Sequence, residues 1–158
     1  MGQTEVEQLR GDKKHQFLTA LVVFAVAIAG VYIYHMQDDY LSQSEIFALV
    51  ENDTAALEQI ASSDDPEQME RPDGVKKISV VDGTVEFSCG GSGSGEDTVY
   101  FGFYYSPNGT PDAVCCGARF TAAADLQPGG EGFGVVNGER YYYTQQITDC
   151  FYYYEAHF

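Results

Sequence analysis

The residues of this chain that could do chemistry are four cysteines, three histidines and two runs of three tyrosines. The thiols are Cys89, Cys115, Cys116 and Cys150. Outside the reducing cytosol, four thiols imply two disulfides. The neighbours Cys115 and Cys116 would close a strained ring, so the expected pattern joins Cys89 to one of them and Cys150 to the other. Such bonds would tie an early hairpin and the last strand to the segment between them, each adding about 2–4 kcal/mol. Free buried thiols and a zinc site are the competing uses, and for zinc the sequence has no C-x-x-C pair.

Nucleophilic catalysis needs a base held against a nucleophile by a third group. After the first 16 residues the histidines are His35 and His157. His157 has Glu155 and Asp149 nearby as orienting carboxylates, yet nothing identifies a nucleophile for them. The stretch GGSGSGED (90–97) lacks the Lys-Ser/Thr of a phosphate loop, and its glycines miss the dinucleotide spacing. The acids of DDPEQMERPDG (64–74) do not fit a calcium loop. Asn108-Gly109-Thr110 is formally a glycosylation acceptor, but Pro107-Asn108-Gly109 reads as a turn and Pro111 follows. The expectation is a non-enzymatic protein, with no catalytic residue, no cofactor and no metal.

The tyrosines are the unusual asset. Tyr141, Tyr142 and Tyr143 recur as Tyr152, Tyr153 and Tyr154. If the chain reverses near Ile147-Thr148, the triplets face each other across two strands, and such aromatic pairs stabilise a sheet. Successive side chains alternate between faces, so both faces gain aromatics. One face serves the core. The other is either an exposed aromatic patch of the kind that marks binding sites, or a face covered by a loop. Tyr142, Tyr153, Tyr152 and Tyr154 are the candidate binding residues, for a protein or a glycan.

Charge and hydropathy place these groups. The formal net charge is −16. Residues 1–16 are neutral, whereas residues 37–158 carry 21 acids against five bases, so the whole excess lies there. That surface repels nucleic acid and anionic lipid, and it also suits plain solubility or high salt. Residues 17–34, FLTALVVFAVAIAGVYIY, hold no charge. As a helix they would extend about 27 Å, close to the hydrocarbon thickness. Arg10, Lys13 and Lys14 precede this run, and Asp38 and Asp39 follow it. The basic flank stays inside, which puts the C-terminal part outside the cell membrane as a single-pass protein. Small-x-small patterns up to Ala29 offer the alternative of signal cleavage and secretion, although the apolar run continues to Ile33. Ala25, Ala29 and Gly30 would let two such helices approach closely, as a weak homodimer.

Beyond the membrane, Ser42 and Glu45 form a capping box, with Leu41 and Ile46 as a staple. Apolar residues at helical spacing follow as far as Ala61, with a break expected at Asn52-Asp53. From Val75 the period is two. Asp82-Gly83 is a hairpin turn that pairs Val80 with Val85, Ile78 with Phe87, Ser79 with Glu86 and Lys77 with Ser88. Further strands are expected over 98–106 (Val99, Phe101 and Phe103 inward) and 112–120. A hairpin across Asn137-Gly138 and a closing strand from Cys150 complete the set, with a helical turn in TAAADL (121–126). A helix followed by about six short-linked strands gives an α+β fold, an amphipathic helix on an antiparallel sheet.

The expected divisions are a cytoplasmic segment 1–16, a signal-anchor helix 17–36, a juxtamembrane helix and linker 37–74, and an extracytoplasmic β domain 75–158. The order of an apolar helix, a second helix and a sheet is similar to that of pilins. The pilin processing pattern is absent, since Gln16 precedes Phe17 and Leu21 stands where the glutamate belongs. The sequence therefore points to a membrane-anchored interaction module of unknown ligand, or to an accessory or assembly subunit of a membrane complex.

Overall fold

The computed structural model describes Val22 and residues 40–158, with Glu96 as backbone alone. The chain divides into two units, Met1–Asp38 and Asp39–Phe158. The expected anchor over 17–36, its cytoplasmic flank and its small-residue face lie outside the described residues, Val22 excepted. Among the described residues no helix is long and apolar enough to cross a membrane.

Helix α1 is Gln43–Ala61, and its start is the expected capping box. The Glu45 amide donates to Ser42 Oγ at 3.4 Å, and the Ser42 amide donates to the Glu45 carboxylate at 2.8 Å. These bonds satisfy amides that a helix start leaves without partners. The expected break falls at Asp53, which leaves helical geometry with φ −115° and ψ 19°, so two helical stretches meet there across a kink. The Thr54 hydroxyl donates back to the Val50 carbonyl at 2.5 Å, a contact that favours such a bend. Ile46, Val50, Leu57 and Ile60 form the buried stripe.

The strands are β1 (Lys77–Val81), β2 (Thr84–Ser92), β3 (Val99–Tyr105), β4 (Val114–Cys115), β5 (Ala118–Arg119), β6 (Gln127–Gly129), β7 (Gly132–Asn137), β8 (Arg140–Gln146) and β9 (Phe151–His157). Seven of them form one antiparallel sheet in the order β1-β2-β3-β9-β8-β7-β6, and β4 and β5 form a small hairpin apart. The fold is α+β, one helix packed on an antiparallel sheet. The last strand, β9, lies inside the sheet between β3 and β8 rather than at an edge.

The first hairpin has the expected register, Lys77 to Ser88 through Val80 to Val85. Asp82 and Gly83 both take positive φ, 49° and 88°, as a two-residue hairpin turn matched to strand twist requires. Three other expectations change. The second turn uses Gly138 and Glu139, because Asn137 pairs with Arg140. Gly138 alone takes positive φ there, so the turn asks nothing unusual of Asn137. Residues 112–120 are not one strand: the chain reverses at Cys116 and Gly117, whose φ values are 60° and 78°. The tyrosine triplets do not face each other. Tyr142 pairs with Ala156 and Thr144 with Tyr154. The reversal lies further along than Ile147-Thr148, and Tyr152 and Tyr153 instead lie opposite Tyr104 and Phe103 on β3.

Two cores result. On the helix side, α1 covers Phe87, Phe103, Phe151, Tyr153 and Cys89. Phe87 and Phe103 stack with centroids 4.7 Å apart, and Phe151 leans on both. On the opposite side Tyr104, Tyr142, Tyr152 and Tyr154 are buried with Ala113, Val114, Cys115 and Leu126, all from the 106–126 segment. That segment holds little regular structure: the β4–β5 hairpin and a turn of 3-10 helix at Ala123–Asp125. TAAADL therefore makes its expected helical turn.

Candidate functional site

Irregular chain leaves backbone groups without ladder partners, and the tyrosines of the loop side supply them. The Asp112 amide donates to Tyr104 Oη at 2.8 Å. Thr144 gives its own proton to the Tyr153 carbonyl at 2.7 Å, so Tyr104 donates to Thr144 Oγ1 at 2.9 Å. Tyr142 donates to the Val114 carbonyl at 3.2 Å, and Tyr152 to the Gly109 carbonyl at 2.7 Å. Asp112 continues the net: its carboxylate accepts from the Thr84 hydroxyl and the Ala113 amide, both at 2.8 Å, and from Arg119.

The centre of this side is Glu86, a fully buried carboxylate on β2. One oxygen accepts from the Cys116 amide and from Tyr154 Oη, and the other accepts from the Gly117 amide, each at 2.7 Å. A buried charge is tolerated only with such a full set of donors. Glu86 thus grips the two central amides of the Cys116-Gly117 turn. Lys77 and Ser79 on β1 close over the same turn. A Cβ at Gly117 would stand 3.1 Å from Lys77 Nζ and 3.2 Å from Ser79 Oγ.

The four candidate binding tyrosines are therefore not a platform. Tyr142, Tyr152, Tyr153 and Tyr154 are each 2% exposed or less. Burial raises the pKa of all four, and that of Tyr104 with them. The aromatic side that could have been bare is roofed by residues 106–126, and Tyr153 lies beneath α1. Of the first triplet Tyr141 is exposed and Tyr143 half-buried.

The cysteines are also placed differently from the expected pattern. All four carry free thiols. Cys89 lies in the helix-side core and Cys115 in the loop-side core, with the sheet between them. Burial pushes the Cys89 thiol up to about 12. Cys150 precedes β9, where its carbonyl accepts from the Ser106 amide at 2.8 Å. The close pair is the neighbours: Cys115 Sγ and Cys116 Sγ are 3.1 Å apart, the first buried and the second exposed. The contact with Cys116, and then burial, raise the pKa of Cys115, and the same contact lowers that of Cys116.

Among the described residues, the accessible features include two recesses and one corner. A polar cleft of about 300 Å³ lies among Asp82, Thr84, Asn108, Asp112 and Arg119. Its guanidinium is already engaged by Asp112 and, at 3.2 Å, by Asp82. A more apolar groove of about 420 Å³ runs along the first turns of α1, between Phe47, Ala48 and Glu51 on one side and Glu131 and Gln145 on the other. Beyond it the helix-side face ends in a row that α1 leaves open. There Val136 on β7 pairs with Tyr141 on β8, which pairs with His157 on β9. Val136 is 70% exposed and Tyr141 36%. His157 Nε2 lies 2.5 Å from the Glu155 carboxylate, which also accepts from Tyr153 Oη at 3.3 Å. The His157 ring meets the edge of Tyr141 at 5.5 Å. The histidine thus has the Glu155 partner considered from sequence, with Tyr141 and Tyr153 beside the pair. Among the described residues no three His, Cys, Asp or Glu side chains converge as a metal site.

No protein-family model matches the chain, and no curated protein and no solved structure matches it.

Proposed function

We propose that this chain is a single-pass, membrane-anchored extracytoplasmic interaction module that docks a basic protein segment on the open corner of its sheet. The anchor rests on the uncharged run 17–34 and its asymmetric flanks. The observation that carries the docking surface is the exposed Val136–Tyr141–His157 row, the part of the aromatic strands that neither α1 nor the 106–126 segment covers. Glu155, bonded to His157, borders it, Glu131 lies further along beside Gln145, and both act on the half-buried Tyr143. Arg140, the nearest base in sequence, turns to the other face and lies over the Phe158 ring. An apolar and aromatic centre within an acidic rim suits a partner with one apolar anchor and flanking Lys or Arg. A neutral or anionic glycan would gain nothing from that rim.

The test is photo-crosslinking in the native membrane. A photoreactive residue at Val136 is expected to give one discrete protein adduct that Tyr141→Ala removes. The same probe at Glu58, on the exposed side of α1, is expected to give none. Equal labelling at both positions, or none at either, contradicts this surface. Loss of the adduct when residues 17–34 are exchanged for an unrelated apolar span would instead make the anchor the binding element, as in an accessory subunit.

A further inference from the structure

The Cys115-Cys116 pair is unused by the docking surface, and its surroundings are unlike those of any other thiol in the described chain. Two sulfurs 3.1 Å apart need to approach by only about 1 Å to reach bonding distance. The backbone between them is held in an uncommon state, since Cys116 is a non-glycine residue with φ 60°. That state is kept by the buried Glu86 carboxylate on the Cys116 and Gly117 amides. A strained turn over-determined by its surroundings is a recurrent mark of a working site. The two thiols are also unequal in access: Cys116 faces solvent, and Cys115 sits behind it in the core. This is the arrangement of an attacking thiol and a resolving thiol.

We propose that Cys115 and Cys116 are a reversible two-electron redox site, which closes a bond between neighbouring residues by exchange with an external disulfide. The Cys116 thiolate attacks one sulfur of the oxidant, RSSR. The S–S bond breaks, a mixed disulfide forms on Cys116, and the first RS⁻ leaves and takes a proton from solvent. Cys115 then attacks Cys116 Sγ and expels the second RS⁻, which accepts the proton that Cys115 loses. The chain gives up two electrons and two protons, and the oxidant becomes two RSH. Two features favour Cys116 for the first step. It is the sulfur that faces solvent, and its contact with Cys115, helped by the Lys77 ammonium beside Gly117, outweighs the opposing burial and Glu86 carboxylate.

The strain that argues against this pair as a permanent staple is what suits it to reversible use. Adjacent Cα atoms are at most about 3.8 Å apart, whereas unstrained disulfides span roughly 4.4–6.8 Å. A bond under that constraint is easily reduced, and such bonds are labile, regulatory or catalytic ones. Ring closure acts on the two amides that Glu86 holds. Glu86 is bonded to Tyr154 on the strand inside the sheet, so the redox state reaches the loop-side core through one carboxylate.

The test uses the full chain in detergent micelles with Cys89→Ser and Cys150→Ser, equilibrated in graded mixtures of reduced and oxidised glutathione. Remaining thiols are trapped by alkylation and counted by intact mass. The expected result is that both thiols disappear together, the chain loses the mass of two hydrogens with no glutathione retained, and dithiothreitol restores both. Cys116→Ser is expected to leave Cys115 fully alkylated in every mixture. A glutathione adduct that persists on Cys116, or two thiols alkylated throughout, overturns the proposal. A second measurement needs no variant. The tryptic peptide 78–119 of the oxidised wild-type chain is expected to carry the bond between residues 115 and 116, and a bond from Cys89 in that peptide contradicts it.

Discussion

The two faces of the sheet are covered by different kinds of chain, and each face is built to suit its cover. On one side lies α1, whose amides and carbonyls are satisfied within the helix and at its capping box. Phe87, Phe103 and Phe151 need only pack against it, and they carry no polar atoms. On the other side lies the 106–126 segment, which has few ladder bonds of its own. Here the sheet presents rings that end in a hydroxyl. Tyr104, Tyr142 and Tyr152 reach up to the backbone of the cover, and Tyr154 reaches Glu86, which holds the turn at Cys116. The lesson is that a tyrosine-rich face can be a fastening for irregular chain. Its hydroxyls do for a loop what the helix ladder does for a helix.

That contrast predicts different failures. Phe103→Ala removes a ring that is wholly buried between Phe87 and Phe151. It is expected to lower global stability by about 3–5 kcal/mol, read as a shift in the urea midpoint with cooperativity kept. Glu86→Gln keeps the shape but sets an NH₂ group against backbone amides. It is expected to cost about 2–3 kcal/mol, with faster amide exchange confined to residues 112–120. If Glu86→Gln loosened α1 as much as the loop, the two sides would not be separate in this sense.

A smaller effect reads both sides by pH. Burial raises Tyr104, Tyr142, Tyr152 and Tyr154 on the loop side, where contact with Cys116 and burial also raise Cys115, and it raises Tyr143, Tyr153 and Cys89 on the helix side. A raised acid keeps its proton in the fold after the unfolded chain has lost it. The unfolded state then binds fewer protons, so stability is full below the ordinary values and declines as pH rises through them. The decline is expected to start near pH 9 for the thiols and near pH 10 for the phenols. Denaturant midpoints between about pH 8 and pH 11 check it. Tyr142→Phe is expected to flatten the decline, whereas Tyr141→Phe, at an exposed position, is expected to alter it little.

How much of this was legible follows from the same contrast. The helix, its cap, its bend and the first hairpin were readable because their signals are local: Ser42 with Glu45, Asn52-Asp53, and Asp82-Gly83 between alternating residues. The loop side was not. Period-two alternation correctly set Lys77, Ser79, Glu86 and Ser88 on one face, but a face with charges reads as solvent. Its cover comes from residues 106–126, whose pattern announces neither helix nor strand. Glu86 was therefore missed, although a lone acid beside Phe87 and Cys89 on a strand is the signal that could have marked it. The register of β8 with β9 was misjudged because the triplets match each other well in sequence. Pairing of β9 with β3 sets its place instead, and no local pattern shows that. The neighbouring cysteines were weighed as a staple, for which their ring is strained, and the turn that brings them together depends on Glu86.

The most direct test of the fastening role is amide hydrogen exchange on Tyr104→Phe/Tyr154→Phe, measured against the wild-type chain. Both changes keep the ring and remove only the hydroxyl. The expected result is a loss of protection at Asp112, Cys116 and Gly117 by an order of magnitude or more, about 1–2 kcal/mol, with residues 46–60 of α1 unchanged. Unchanged protection at Cys116 and Gly117, or an equal loss in α1, would contradict the account.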